Sequence, residues 1–574
     1  MTKKWLLSAV IAATLLSSCS ENKAPAEHYD TIIVGGTVYD GLGGAPMMAD
    51  VGIRGDRIAE IGDLSTAEAD TIIDAKGKAV SPGFINMLSW AVTSLLHDGR
   101  ALSDLKQGVT LEVFGEGVSM GPLDEAGKKY WSENPYRDQT YTVQWDTLGG
   151  YLEHLEDKGV SPNVASFVGA TTIRTNQIGA ENRAPTPDEL ALMKAEVATA
   201  MEEGALGLGS SLIYAPAFYA KTEELIALAE VVGRYDGMYI SHMRSEGNRF
   251  LEALEELITI AREAKIPAEV YHLKAAGKEN WHKMDQAIAR IEAARAEGLK
   301  ITADMYTYQA GATGLDAAMP PWVQEGGYDA WAERLKDPEI RARVKAEMKT
   351  PTDEWENLML AAGYDGVLLA GFQNPELRHL VGKRLSEVAA ERGQDPEDVA
   401  MDLVIEDGSR VGTIYFLMSK ENMYKQAVLP WLSFGSDSAA LDPAQDAPFG
   451  NPHPRAYGNF ARVLGLFVRE EKLMPLEEAI RKLTHLPATN LKIRERGSLQ
   501  VGNYADVVVF DPATVQDHST FEASHALSSG VEHVLVNGGH VIKDGAHTGA
   551  TPGRVVRGPG WLGWNKEAAK LAAE

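Results

Sequence analysis

The spacing of hydrophobic and polar positions changes twice along the chain. From Asp30, short β-rich runs alternate with glycines: Thr31-Ile32-Ile33-Val34, Thr37-Val38-Tyr39, Val51-Gly52-Ile53, Arg57-Ile58-Ala59-Glu60-Ile61 and Thr71-Ile72-Ile73-Asp74. This texture predicts a small β-domain over residues 30–80. It returns after residue 496, in Asp506-Val507-Val508-Val509-Phe510 and in Glu532–Gly539. Segments 30–80 and 491–560 are therefore expected to complete one β-sandwich around the centre of the chain.

Between them, strand-like runs alternate with amphipathic helices, the pattern of parallel βα units. Eight runs stand out: Gly83–Met87, Val109–Gly115, Val164–Gly169, Ala205–Ile213, Met238–His242, Ala268–His272, Ile301–Tyr306 and Trp431–Ser436. Phe250, Leu254, Leu257, Ile258 and Ala261 repeat at helical spacing after the fifth run, and Met284, Ile288 and Ile291 after the sixth. Eight such units closing on themselves predict an α/β fold, a TIM (β/α)8 barrel over 81–490. The seventh-to-eighth connection, about 310–430, exceeds what a crossover needs and predicts an inserted lid or subdomain. Residues 561–574 read as a C-terminal tail.

The N-terminus has a different pattern. A basic Met1-Thr2-Lys3-Lys4 precedes an apolar stretch, Trp5–Leu16, too short to span a bilayer. Leu16-Ser17-Ser18-Cys19 has the small-residue pattern of a cleavage site and resembles a bacterial lipobox. That resemblance implies a signal peptide over 1–18, lipidation of Cys19, and a cell-envelope location, with Ser20 favouring the outer membrane facing the periplasm. The alternative is a plain secretory signal with an incidental cysteine. Residues 19–29, polar with Pro25, read as a tether.

Composition narrows the chemistry. The 574 residues carry 81 acidic against 55 basic side chains, a formal charge of −26. That charge disfavours nucleic acid and anionic membrane surfaces, leaving a small-molecule substrate and membrane contact only through the Cys19 anchor. With one cysteine in the chain, a metal must sit on histidines and carboxylates. The sequence assigns no oligomeric state.

Catalytic groups of a barrel collect at the C-terminal strand ends. Here the second run ends near Glu116, the fourth near Tyr214, the fifth at His242 and Arg244, and the sixth at His272 and Lys274. The seventh carries Asp304, Tyr306 and Tyr308, the eighth ends at Asp437, and His453 follows within reach of the mouth. Two histidines closing consecutive strands, with carboxylates closing others, form a donor set for Zn2+ in an open catalytic site. Asp304 reads as a group that orients a neighbour or caps a turn, and His97, His154, His282 and His379 as solvated surface residues.

Ile240-Ser241-His242-Met243-Arg244-Ser245-Glu246-Gly247, Tyr271-His272-Leu273-Lys274, Leu212–Pro216, Phe434-Gly435-Ser436-Asp437 and His453–Gly458 closely resemble the D-aminoacylase (N-acyl-D-amino-acid deacylase) branch of the amidohydrolase superfamily. The closing segments Gly502–Pro512 and Thr548–Arg554 do so too, and the likeness runs from about residue 29 to 560. The resemblance implies a zinc-dependent hydrolase of N-acyl-D-amino acids or small D-amino-acid-containing peptides. In that branch the barrel opens with a Pro-Gly-Phe-Ile-Asp-x-His-x-His strand serving one of two metal positions. This chain reads Pro82-Gly83-Phe84-Ile85-Asn86-Met87-Leu88-Ser89-Trp90, and Leu88 and Trp90 offer no lone pair to zinc. One Zn2+ per chain is therefore expected. Its ligands would be Glu116, which stands where the branch has a cysteine, with His242 and His272.

By the same resemblance, a metal-bound water is the nucleophile and Asp437 the general base. Tyr214 and Lys274 match substrate-contacting positions, and Tyr306, Arg244 and His453 complete the candidate substrate set. The arginine that the branch carries some dozen residues before the aspartate is absent, with Tyr424 and Lys425 near its place. Two other readings stay open: a hydrolase of the same fold acting on a lactone or cyclic amide, and a ligand-binding pseudoenzyme.

Overall fold

The computed structural model describes residues 27–133 and 141–564. All eight expected runs are strands: β1 Phe84–Asn86, β2 Val109–Phe114, β3 Asn163–Ser166 continuing into Val168–Gly169, β4 Gly207–Ser211, β5 Met238–His242, β6 Ala268–Val270, β7 Ile301–Met305 and β8 Leu432–Phe434. Each pairs in parallel with the next. The ring closes where Asp437 N–H donates to Leu88 O at 2.8 Å and Trp90 N–H to Ser438 O at 2.9 Å. The strands are buried on both faces, which is why they read as near-continuous apolar runs.

The helices that wrap the ring bury one stripe each. Phe250–Ala264 turns Phe250, Leu254, Leu257, Ile258 and Ala261 inward. In Met284–Ala296 the inward stripe is Met284, Ala287, Ile291 and Ala294, with Ile288 only partly covered.

The long connection is a subdomain with its own core. Strands Ala310–Gly314, Val367–Gly371 and Gly412–Phe416 form an antiparallel sheet, backed by helices Pro338–Lys349, Leu385–Arg392 and Pro396–Asp407. Val344, Met348, Leu369, Leu385, Leu403 and Tyr415 are among the side chains that fill it.

Both ends of the chain join one nine-stranded sheet. The first half of His28–Val38 pairs with Glu68–Asp74 and its end with Ala79–Pro82, while its antiparallel pairing with Met47–Arg54 shifts register between Ile33 and Gly36. A Cβ on Gly36 would lie 2.5 Å from the Val80 side chain, so this crossover of two strands requires a glycine. Ala79–Pro82 then pairs with Val507–Phe510, which pairs with Val531–Val536. The two layers expected of a sandwich are thus continuous through His28–Val38, and Ile33, Val51, Ile73, Val80, Val507 and Leu535 share their core.

The expected signal peptide, Cys19 and most of the expected tether and tail fall outside the described residues. Within these, no helix is long and apolar enough to cross a membrane.

Candidate metal centre

The turn after β2 decides where Glu116 points. Gly115 and Gly117 have φ of +109° and +77°, and a Cβ on Gly115 would lie 2.5 Å from Phe167 O. The turn therefore excludes larger residues at 115 and aims Glu116 across the barrel mouth. Its Oε1 lies 3.0 Å from His242 Nδ1 and 3.0 Å from His272 Nε2. The two imidazoles meet edge to face, with centroids 4.4 Å apart, and all three side chains are buried.

The outer nitrogens of both rings face a second carboxylate. Glu246 Oε1 is 3.1 Å from His272 Nδ1, and its Oε2 is 3.7 Å from His242 Nε2. Lys274 Nζ lies 2.5 Å from Glu246 Oε1 and 2.7 Å from His272 Nδ1, and donates to His272 O at 3.1 Å. Lys274 borders the cavity, and its ammonium donates to Glu246 Oε1 and His272 O within the protein. Its ammonium holds His272 and Glu246 in place.

Among the described residues, Glu116, His242 and His272 are the one group of His, Cys or carboxylate side chains with metal-ligand spacing, their donor atoms all within 4.8 Å of one another. One carboxylate oxygen and two imidazole nitrogens suit a borderline ion such as zinc and leave a coordination position open. Glu246 adds the outer carboxylate that orients metal-binding imidazoles. The first strand contributes no ligand: Leu88 is wholly buried in an apolar cluster, and Trp90 Nε1 donates to Glu116 Oε2 at 2.8 Å.

Two residues of the site hold left-handed backbone that side chains rarely adopt, His272 at φ +35° and Asp437 at φ +50°. Asp304 Oδ1 accepts from His272 N–H at 2.9 Å, and Leu88 O accepts from Asp437 N–H at 2.8 Å. Asp437 Oδ2 lies 2.6 Å from Arg455 Nη1. Burial pushes the Asp437 carboxyl up, and the Arg455 guanidinium pulls it part of the way back. Arg455 rests 4.6 Å over the Tyr306 ring.

These groups border one cavity of about 880 Å3. Tyr214 enters from the β4 end, edge-on to His242 with centroids 5.3 Å apart. Tyr130, Trp131, Tyr328 and Trp331 form much of its apolar wall, the last two from the inserted subdomain.

Two expected substrate contacts are turned elsewhere. Arg244 donates twice to Glu256, from Nε and Nη2 at 2.9 Å each, and to Phe218 O and Ala220 O at 2.9 and 2.8 Å. It ties the helix after β5 to the β4 loop and does not border the cavity. His453 is buried, with Nε2 2.9 Å from Ala310 O and Nδ1 accepting from Arg455 N–H at 3.0 Å. Burial, then Arg455, hold its pKa well below the usual range, so it is a neutral prop for Arg455.

Tyr424 and Lys425 lie on the outer helix Lys420–Ala427, bonded to Glu471 and Asp285. His282 and His379 are exposed, whereas His97 and His154 pack against Tyr141 and Trp145. Glu246, Trp90, Arg455 and Arg410 were not assigned from sequence. Glu246 and Arg455 lie inside the motif segments quoted above and Trp90 in the first-strand motif, so only Arg410 left no signal there.

Residues 71–542 match the model of the Amidohydrolase family. D-aminoacylase of Alcaligenes xylosoxydans xylosoxydans is 34% identical over 541 residues, 93% of this chain and 99% of that protein. A solved structure of D-aminoacylase, whose binuclear centre is described as activated by one metal and attenuated by a second, is 34% identical. It superposes with TM-score 0.77 over 92% of this chain and 100% of its own. N-acyl-D-glutamate deacylase from Bordetella bronchiseptica, solved with zinc and a phosphonate mimic of the tetrahedral intermediate, is 30% identical, with TM-score 0.77 over the same shares. Matched along nearly its whole length, with a buried donor set at the barrel mouth, the chain belongs to the amidohydrolase family and is a metal-dependent amidohydrolase.

Proposed function

We propose that this chain hydrolyses the amide bond of N-acyl-D-amino acids or small D-amino-acid-containing peptides, using one zinc ion held by Glu116, His242 and His272. The convergence of those three side chains on one point carries the reading. Zinc bound there supplies Lewis acidity, lowering the pKa of water towards neutrality and polarising the scissile carbonyl.

The chain's own groups do the rest. Asp437, at the cavity wall, takes the proton of the attacking water and delivers it to the leaving amine nitrogen. Its raised pKa suits both halves of that transfer, because a carboxylate that is too weak a base would not accept the proton. Arg455 fixes the carboxylate's orientation, and Asp304 and Lys274 fix His272. Tyr214 and Tyr306 border the space left for substrate.

The test is a panel of N-acyl-D-amino acids, their L-enantiomers, dipeptides, lactones and cyclic amides, run alongside elemental analysis. The expected result is D-selective amide cleavage with one tightly held zinc per chain. Turnover of lactones or cyclic amides alone would replace the substrate class. Tight zinc binding without any turnover would leave a ligand-binding protein.

We also propose that the mature chain is anchored in the cell envelope through a lipid on Cys19. Labelling with a radioactive fatty acid should be lost in Cys19→Ala, and a labelled variant would overturn the anchor.

A further inference from the structure

We propose that Glu356, contributed by the inserted subdomain, is a positioning residue of the metal centre: it seats the loop that carries Glu246 and so couples docking of the insertion to zinc binding. The inference rests on the zinc site read above and adds a residue that touches neither the donor set nor the cavity.

The contact is made on one stretch of backbone. Glu356 lies between the insertion's helices Pro338–Lys349 and Leu358–Ala362. It reaches the loop after β5, where its Oε1 accepts from the backbone N–H of Glu246, from that of Gly247, and from Ser245 Oγ at 2.8 Å. Two successive N–H groups turned to one side form a concavity that suits a carboxylate. A Cβ on Gly247 would lie 3.0 Å from that oxygen, so this close approach favours a glycine. Four residues earlier Thr352 O accepts from Asn248 Nδ2 at 3.2 Å, which makes a second tie to the same loop.

The far end of Glu246 is the metal centre. Its carboxylate faces the outer nitrogen of both imidazoles and the Lys274 ammonium. Its carbonyl accepts from Ala276 N–H at 2.7 Å, on the loop after β6. The insertion grips this second loop as well, since Leu417 O accepts from Gly277 N–H at 3.0 Å and from Trp281 Nε1 at 2.7 Å. Without Glu356 the N–H groups of residues 246 and 247 lose their acceptor, and the loop relaxes with the Glu246 carboxylate moving off the imidazoles. Such a coupling is reciprocal: the factor by which docking tightens zinc is the factor by which zinc tightens docking.

The experiment measures zinc affinity of the whole chain by competition with a chelator. Glu356→Ala should bind zinc about tenfold more weakly, the lower end of the loss that follows removal of a partner orienting a ligand. Glu356→Gln, which keeps the accepting oxygen, should stay within about threefold of wild type. A purely structural role would lower the stability of Glu356→Ala and leave the affinity of the folded protein unchanged, which overturns the proposal. In a Glu246→Ala background, Glu356→Ala should change affinity less than about twofold, because its effect passes through the residue already removed. Losses that multiply in the double variant overturn it as well.

Hydrogen exchange on wild type reads the reverse direction and decides even if the variants fail to fold. Zinc should slow exchange of the amides of residues 352–358 several-fold relative to metal-free protein, and identical exchange in the two forms overturns the coupling. Wild type that shows these effects but cleaves no substrate removes the hydrolase reading and supports the coupling. Wild type that holds no zinc removes both.

Discussion

The indole nitrogen of Trp90 lies 2.8 Å from Oε2 of Glu116, while Oε1 of the same carboxylate faces both metal-site histidines. Where the D-aminoacylase branch carries a histidine, this chain thus carries a donor that fixes the ligand's carboxylate. Trp90→Phe keeps the ring's bulk and removes the donor. Zinc affinity, measured by competition with a chelator, should fall about 10- to 100-fold, the usual consequence of losing a partner that orients a ligand. An unchanged affinity would show that the contact carries no such role.

Glu116→Ala should lower bound zinc well below one ion per chain after dialysis, and activity with it. Glu112→Ala, altered inside β2 and away from the donor cluster, should keep its zinc. Full zinc content in Glu116→Ala would move the carboxylate ligand elsewhere, with Asp304 the next candidate.

Asp437 separates chemistry from binding. Asp437→Asn should lower kcat by about 10²-fold or more with zinc retained, since the amide cannot accept a proton. In wild type, burial raises the Asp437 pKa, so the acidic limb of kcat/KM should lie at higher pH than a free aspartate would give. Arg455 lowers that pKa, so Arg455→Met should move the limb to higher pH, and Asp437→Asn should lose it. A limb that stays in place in both variants would assign it to another group.

Under the site, Glu112 shares Asn86 with Ser436 and Asp104, its Oε2 accepting from Asn86 Nδ2 at 2.9 Å. Burial pushes its carboxyl up to about 7 from 4.5. A raised pKa means the fold favours the protonated acid. The associated stability is present below about pH 4.5 and is lost as pH rises through about 7. Denaturant unfolding of metal-free protein should therefore show wild type losing roughly 1–3 kcal/mol more between pH 5 and 8 than Glu112→Gln does. Identical pH slopes for the two would remove Glu112 as the cause.

The sequence by itself determined the barrel and the donor set. Strands buried on both faces must be apolar along their length, and the helices between them must carry a stripe every three or four residues, so both periods are written locally. Every parallel strand of a closed barrel also ends at the same rim, so polar residues at strand ends converge whatever the loops do. Glu116, His242 and His272 were legible as rim residues for that reason, and the family resemblance singled Glu116 out among the carboxylates. Their neighbours were not, because the direction of a loop side chain depends on partners far along the chain. Arg244 and His453 look like mouth residues in sequence. Glu256 captures the first, and Ala310, 143 residues away in sequence, captures the second. Arg410 is their converse, a residue with no sequence signal that the folded insertion, through Asp316 and the bare backbone of Gly314, brings to the cavity wall. Only tertiary structure could decide these, since a long charged side chain goes to whichever buried partner packing places within its reach, and that placement is not encoded in its immediate neighbours.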